Sequence, residues 1–176
     1  QPMLAQHEFA QHQLAGYTRI PLMAEFSADL ETPLSVYLKL CGANSRHSFL
    51  LESVLGGERF GRYSFIGLPA RKWLAASGFG AAARTRFYAD GALVEEKNGN
   101  PLDVIADLQA QEKNYLPEGM PRFCGGLAGY FAYDVVRYIE KKLEHSCPPD
   151  TLGTPDIMLL QCDELAVIDN LKGRLQ

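Results

Sequence analysis

The sequence predicts an α+β fold, mainly antiparallel sheet with flanking helices. Three observations carry this: short apolar strands outnumber helices, hairpin-type turns separate them, and strand and helix never alternate long enough to build a parallel sheet. With 176 residues, 47% of them hydrophobic, the length argues for one domain, and such a chain buries roughly 70% of its unfolded surface.

In chain order, Gln1–Gln13 reads as a short leading helix with Leu4, Phe9 and Leu14 as sparse apolar positions, and Tyr17 to Glu25 as an extended edge marked by Pro21. A helix opens at Thr32, its N-cap, with Pro33 at the first position, a face of Leu34, Tyr37, Leu38 and Cys41, and Gly42 just past its end. Strands are expected at Phe49–Val54, Tyr63–Leu68, Lys72–Ala76, Thr85–Ala89 and Leu93–Glu96. Gly56-Gly57 turns the first pair, and Asp90-Gly91 is a two-residue hairpin signal for the last. A second helix is capped by Asn100, starts at Pro101 and carries Leu102, Ile105, Leu108 and Glu112 on its stripe. Leu116–Arg122 is a loop, Gly125–Tyr133 a strand of small and aromatic residues, Asp134–Leu143 a short helix and His145–Pro155 irregular. Strands follow at Asp156–Cys162 and Leu165–Asp169. The turn chemistry of Asp169 to Gly173 then calls for a returning strand near Arg174, yet the sequence stops at Gln176; a hairpin with one arm would leave unpaired edge groups, so the chain reads as a piece of something longer.

Net charge is −4 and the isoelectric point about 5.6, which gives no electrostatic case for nucleic acid or an anionic membrane. No apolar run approaches the ~20 residues of a membrane-spanning helix, and the polar start has no signal-peptide pattern. Cys41, Cys124, Cys147 and Cys162 form no CxxC pair, so they read as reduced thiols of a cytoplasmic protein.

No reaction centre is visible. His7, His12, His47 and His145 are scattered, and the spacing of the first two is not the i, i+4 pairing of a helical zinc site. The glycines of Gly125-Gly126-Leu127-Ala128-Gly129 do not fit a dinucleotide loop and instead suit close approach of another backbone or a partner domain. Arg59, Arg62, Arg71, Lys72, Arg84 and Arg86 cluster in sequence, which suits charged outer faces of strands and leaves room for an anionic ligand or acidic partner.

The densest signal is FLLESVLGGERFGRYSFIG, Phe49 to Gly67. Alternation puts Phe49, Leu51 and Ser53 on one face and Leu50, Glu52 and Val54 on the other. Both faces start apolar, so the strand is expected to be buried on both sides, with Glu52 and Ser53 at its end. A buried polar group without a partner costs roughly 1–3 kcal/mol, so backbone or a ligand must satisfy them. On the next strand Arg62, Ser64 and Ile66 share a face, opposite Tyr63 and Phe65, and pairing would bring Ser53 near Arg62 or Ser64. An amino acid ligand needs an acceptor for its ammonium and donors for its carboxylate; an indole adds an apolar slot. Glu52, Ser53 and Arg62 beside Leu and Phe side chains are of the right types.

LLESVLGGERFGRYSFIG resembles the "LLES … RYSFIG" signature of the large subunit of anthranilate synthase. The resemblance extends to Tyr17–Leu40 (YTRIPLMAEFSADLETPLSVYLKL), to Gly125–Glu140 (GGLAGYFAYDVVRYIE), which looks like the family's GG-x-x-GY-x-x-YD segment, and to Thr154–Gly173 (TPDIMLLQCDELAVIDNLKG). It implies that the chain is the amino-terminal part, residues 1–176, of a larger α/β sandwich enzyme. That enzyme makes anthranilate and pyruvate from chorismate, with ammonia from a partner glutamine amidotransferase subunit (component II), in tryptophan biosynthesis. It needs Mg2+ at a chorismate site in the carboxy-terminal domain, which leaves this part with no catalytic residue and no metal. The resemblance further implies that this part supports feedback inhibition by L-tryptophan. Ser53 corresponds to the family's LLES serine and Glu52 is its neighbour; Arg62, Tyr63 and Ser64 are further candidates on the following strand. Two alternatives stay open: the related large subunit of aminodeoxychorismate synthase, and a stand-alone amino-acid-sensing module.

Overall fold

The computed structural model describes residues 6–52 and 61–176, apart from the side chains of residues 6 and 7. It forms two compact units, one of Gln1–Ala70, Lys113–Gly126 and Cys162–Gln176, the other of Arg71–Glu112 and Leu127–Gln161.

In the first unit the leading helix is α1 (Gln6–Leu14). The expected edge before Glu25 makes one isolated bridge, Arg19 to Asn114, and regular pairing begins later, at β1 (Phe26–Ser27). Helix α2 (Pro33–Leu40) starts where its cap chemistry predicts: the Ser35 amide donates to Thr32 Oγ1 at 3.0 Å, and the Thr32 amide donates to Ser35 Oγ at 3.0 Å. Its inner face differs from the expectation. Val36 is 3% exposed, with Tyr37 and Cys41 packed beside it, whereas Leu34 and Leu38 are 52% and 46% exposed. Apolar residues nearly encircle this helix, so periodicity alone could not choose the buried arc.

The sheet of this unit runs β1-β10-β9-β3-β2, with β2 (Phe49–Leu51), β3 (Tyr63–Gly67), β9 (Leu165–Asp169) and β10 (Arg174–Leu175), all pairs antiparallel. One face, with Leu50, Ile66, Ala166, Ile168 and Leu175, packs on α2 through Val36 and Tyr37. On the other, Phe123 meets Phe65 edge-on, ring centres 5.8 Å apart. The strand expected to be buried on both sides is instead the sheet's edge: β2 is regular to Leu51, which is 56% exposed. A continuous apolar run suits a central strand as well as an edge strand whose outer residues await cover. Ser53, Val54 and the Gly56-Gly57 turn lie outside the described residues. The hairpin expected to lack its second arm has one: Arg174–Leu175 returns as β10, pairing with β9 on one side and β1 on the other, because two residues suffice to continue the ladder.

The second unit holds the sheet β6-β5-β4-β8-β7, built from β4 (Lys72–Ser77), β5 (Arg84–Ala89), β6 (Ala92–Asn98), β7 (Gly126–Phe131) and β8 (Ile157–Cys162). Asp90 and Gly91 have φ of +49° and +84°, the left-handed pair a two-residue hairpin of this twist needs. Helix α3 (Pro101–Ala110) is capped by Asn100, whose Oδ1 accepts from the Leu102 amide at 3.0 Å. Its stripe of Leu102, Ile105 and Leu108 closes a core with Leu74, Ala76, Ile157 and Leu159; Glu112 falls beyond the helix. The single helix expected at Asp134–Leu143 is broken into 3-10 turns around a short α4 (Val136–Ile139). Here tertiary bonds set the backbone: the Tyr138 hydroxyl donates to Asp156 at 3.2 Å, and Arg137 Nη1 donates to the Leu143 carbonyl at 2.7 Å.

Candidate functional site

The candidate site lies in the first unit, at one end of its sheet. Antiparallel register puts Leu51 opposite Phe65 and Tyr63 opposite Asp169. Hence the end of β2, the start of β3 and the end of β9 share one end of the sheet, at which Glu52 follows β2.

Of the five candidate residues, four are described. Glu52 is exposed just beyond the end of β2. Arg62 precedes β3, and its side chain does not share a face with Ser64 as alternation suggested. It reaches the face of Tyr63 and Asp169. Its guanidinium carbon stands 4.8 Å from the centre of the Tyr63 ring, and Nε and Nη2 donate to the Asp169 carboxylate, the latter at 2.7 Å. Tyr63 is half-buried, its ring centre 6.2 Å from that of Phe65. Ser64 is fully buried on the α2 face, and Asn170 Nδ2 donates to its hydroxyl oxygen at 3.2 Å. Ser53 lies outside the described residues.

Two residues that the sequence does not single out organise this end: Asp169 and Asn170. Asp169 is 1% exposed, and besides Arg62 it accepts from the Leu171 and Lys172 amides at 3.1 and 3.2 Å. The Arg62 guanidinium and these bonds hold its carboxyl below the usual carboxylate range, and the same pairing raises Arg62. The Asn170 amide donates to the Arg62 carbonyl at 2.7 Å, and its Nδ2 donates to the Gly61 carbonyl at 3.2 Å. The only sequence signal was the Asp-Asn turn chemistry after an apolar strand. Chemically, the described residues of this end are a neutralised ion pair against aromatic rings beside the exposed Glu52 carboxylate.

The other cations expected to cluster are dispersed. Arg71 pairs with Asp90, and Arg84 and Arg86 face Glu96, all in the second unit; Arg59 lies outside the described residues. Among the described residues no group of three His, Cys, Asp or Glu could hold a metal, and no helix is long and apolar enough to cross a membrane.

No family model matches the chain. It is 48% identical over 176 residues to anthranilate synthase component 1 of Neisseria meningitidis serogroup B, covering 98% of this chain and 35% of that protein. It is 47% identical over 169 residues to the protein of the same name from Pseudomonas putida, and 39% over 164 residues to that from Aquifex aeolicus. Those matches cover 96% and 92% of this chain, and 33% and 31% of the relatives. The chain thus spans about a third of the length of the curated relatives it matches, the amino-terminal third. A crystal structure of anthranilate synthase component I from Streptococcus pneumoniae TIGR4 is also similar, with a TM-score of 0.48 and 21% identity over 87% of this chain and 30% of that one.

Proposed function

We propose that the chain, 47–48% identical over nearly its whole length to about a third of the anthranilate synthase component 1 proteins, is the amino-terminal part of an anthranilate synthase large subunit. The intact protein would convert chorismate to anthranilate and pyruvate, drawing ammonia from a glutamine amidotransferase partner. The observation that carries this reading is identity of 47–48% over nearly the whole chain. The magnesium of the intact enzyme would sit at the chorismate site of the carboxy-terminal domain, and no step is routed through it here. This part contributes no catalytic group and turns over nothing alone.

Its role in the proposal is regulatory. L-Tryptophan binds where Ser53 follows Glu52, at the sheet end built by Arg62 and Tyr63, and the rest of the polypeptide closes the site. Occupancy then favours one arrangement of the intact enzyme, because a ligand with equal affinity for two states shifts neither. Glu52 supplies an exposed acceptor for the ammonium, and Tyr63 and Phe65 supply aromatic surface.

The test is an assay of the intact protein with chorismate and glutamine or ammonia, following anthranilate fluorescence with and without tryptophan. Anthranilate should form, and Ser53→Ala should weaken inhibition about fivefold or more at unchanged kcat. An aminodeoxychorismate product would overturn the activity, and undiminished inhibition of Ser53→Ala would overturn the regulatory site.

A further inference from the structure

We propose that the Asp169–Asn170 turn is a positioning device for the inhibitor site, setting tryptophan sensitivity without touching tryptophan. The inference deepens the regulatory reading above and rests on it. Three features of the sheet end carry it.

First, register places the turn where it must be to act. Tyr63 sits opposite Asp169, and β2 runs antiparallel to β3, so Glu52 leaves the sheet at the end where Asn170 begins its turn. Second, residues 61–64 are held to that turn on both main chain and side chain. The Asn170 amide donates to the Arg62 carbonyl at 2.7 Å, Asn170 Nδ2 donates to the Gly61 carbonyl and to Ser64 Oγ at 3.2 Å each, and Arg62 donates two-pronged to Asp169. Third, the bonds are asymmetric in burial. Asp169 is 1% exposed, whereas Asn170 is exposed although its side-chain amide satisfies a serine that is fully buried. An exposed residue making two side-chain bonds back to one strand start fixes that start's position more than it adds to a core.

The clamp also revises the part Arg62 plays. Its Nε and Nη2 are engaged by Asp169, and its charge is neutralised there. Arg62 therefore serves as the strut between turn and strand, and among the described residues of this end Glu52 is an exposed acceptor for the ligand. Loosening the turn should let residues 61–64 drift and misplace the groups that meet the inhibitor, leaving chemistry elsewhere in the polypeptide unaltered.

The experiment uses the intact enzyme and L-tryptophan itself, with Asn170→Ala and the near-isosteric Asn170→Asp. Both keep the backbone bond to Arg62 and remove the Nδ2 donor, and at an exposed turn position both should fold. The tryptophan concentration giving half inhibition should rise about fivefold or more in each, with kcat and KM for chorismate unchanged. Ser53→Ala is run alongside. If Ser53→Ala loses inhibition while both Asn170 variants keep the parental value, the positioning role is overturned and the site stands. If Ser53→Ala keeps its inhibition, the underlying reading fails. If kcat and melting temperature fall together with sensitivity, the turn is merely structural and the proposal is overturned as well.

Discussion

At the scale of single residues, one buried and one half-buried carboxylate answer pH with opposite sign. Asp169 is held below the usual carboxylate range, first by its bonds from Arg62. Its folded value lies below its unfolded one, so its stabilisation is present above the unfolded value of about 3.9 and is lost as pH falls through the folded value. Asp156, in the second unit, is pushed up, chiefly by burial, although Tyr138 and the Gly78 amide each bond to its Oδ2 at 3.2 Å. A raised carboxylate favours folding only when protonated, so its contribution improves as pH falls through the folded value. Denaturant midpoints from pH 7 to pH 3 should separate the two. Asp169→Asn should lose roughly 1–3 kcal/mol at pH 7 and show a shallower acid decline than the parent. Asp156→Asn, which keeps an acceptor for both donors, should hold or gain stability at pH 7 and lose the acid-side benefit. Parallel pH profiles for parent and Asp169→Asn would refute the assignment. The residue types at the site were legible: Arg62 and Ser64 stand out in RYSFIG. Their partners were not, because Asp169 and Asn170 are 107 and 106 residues away and no periodicity joins positions that distant.

At the scale of elements, the sequence was most legible where local chemistry decides alone. Thr32-Pro33 and Asn100-Pro101 open helices where capping requires, and Asp90-Gly91 turns its hairpin, because each signal is satisfied within a few residues. It was least legible where the answer depends on what lies opposite: the inner arc of α2, the edge position of β2 and the broken helix around α4. Gly129 is a case where a close neighbour was anticipated without its identity. A Cβ there would stand 1.9 Å from the Met158 carbonyl oxygen and 3.0 Å from the Leu159 Cα. Both obstacles are backbone of β8, which cannot rotate aside as a side chain would. Gly129→Ala should therefore force β7 from β8 and destabilise the protein by about 1–3 kcal/mol or more. Hydrogen exchange should show protection lost along Gly126–Phe131 while the β4–β5–β6 meander keeps its own. Unchanged exchange in β7 would mean the strands accommodate the methyl group.

At the scale of the whole molecule, the chain is expected to bind tryptophan far more weakly than the intact enzyme does. Small-ligand sites bury roughly 70–90% of their ligand. The described part of this one is open: Leu51 is 56% exposed, Glu52 is exposed, and Arg62 is 34% exposed even when paired. The match to the relatives ends at about a third of their length, which leaves about two-thirds from which a second wall could come. The size of the deficit follows from affinity arithmetic. A micromolar site is worth about −8.2 kcal/mol and a millimolar one about −4.1, so losing half the contacts alone moves the constant about a thousandfold. The loss of translational and rotational freedom, several kcal/mol by any estimate, is charged in full to whichever half binds. The remaining surface should therefore fall short even of millimolar. Calorimetric titration of the 176-residue chain with tryptophan should give no saturable heat up to millimolar ligand, while the intact enzyme titrates normally. Micromolar binding by the chain alone would show that the site is complete within these residues, and inhibition could not then depend on a ligand bridging to the rest of the polypeptide.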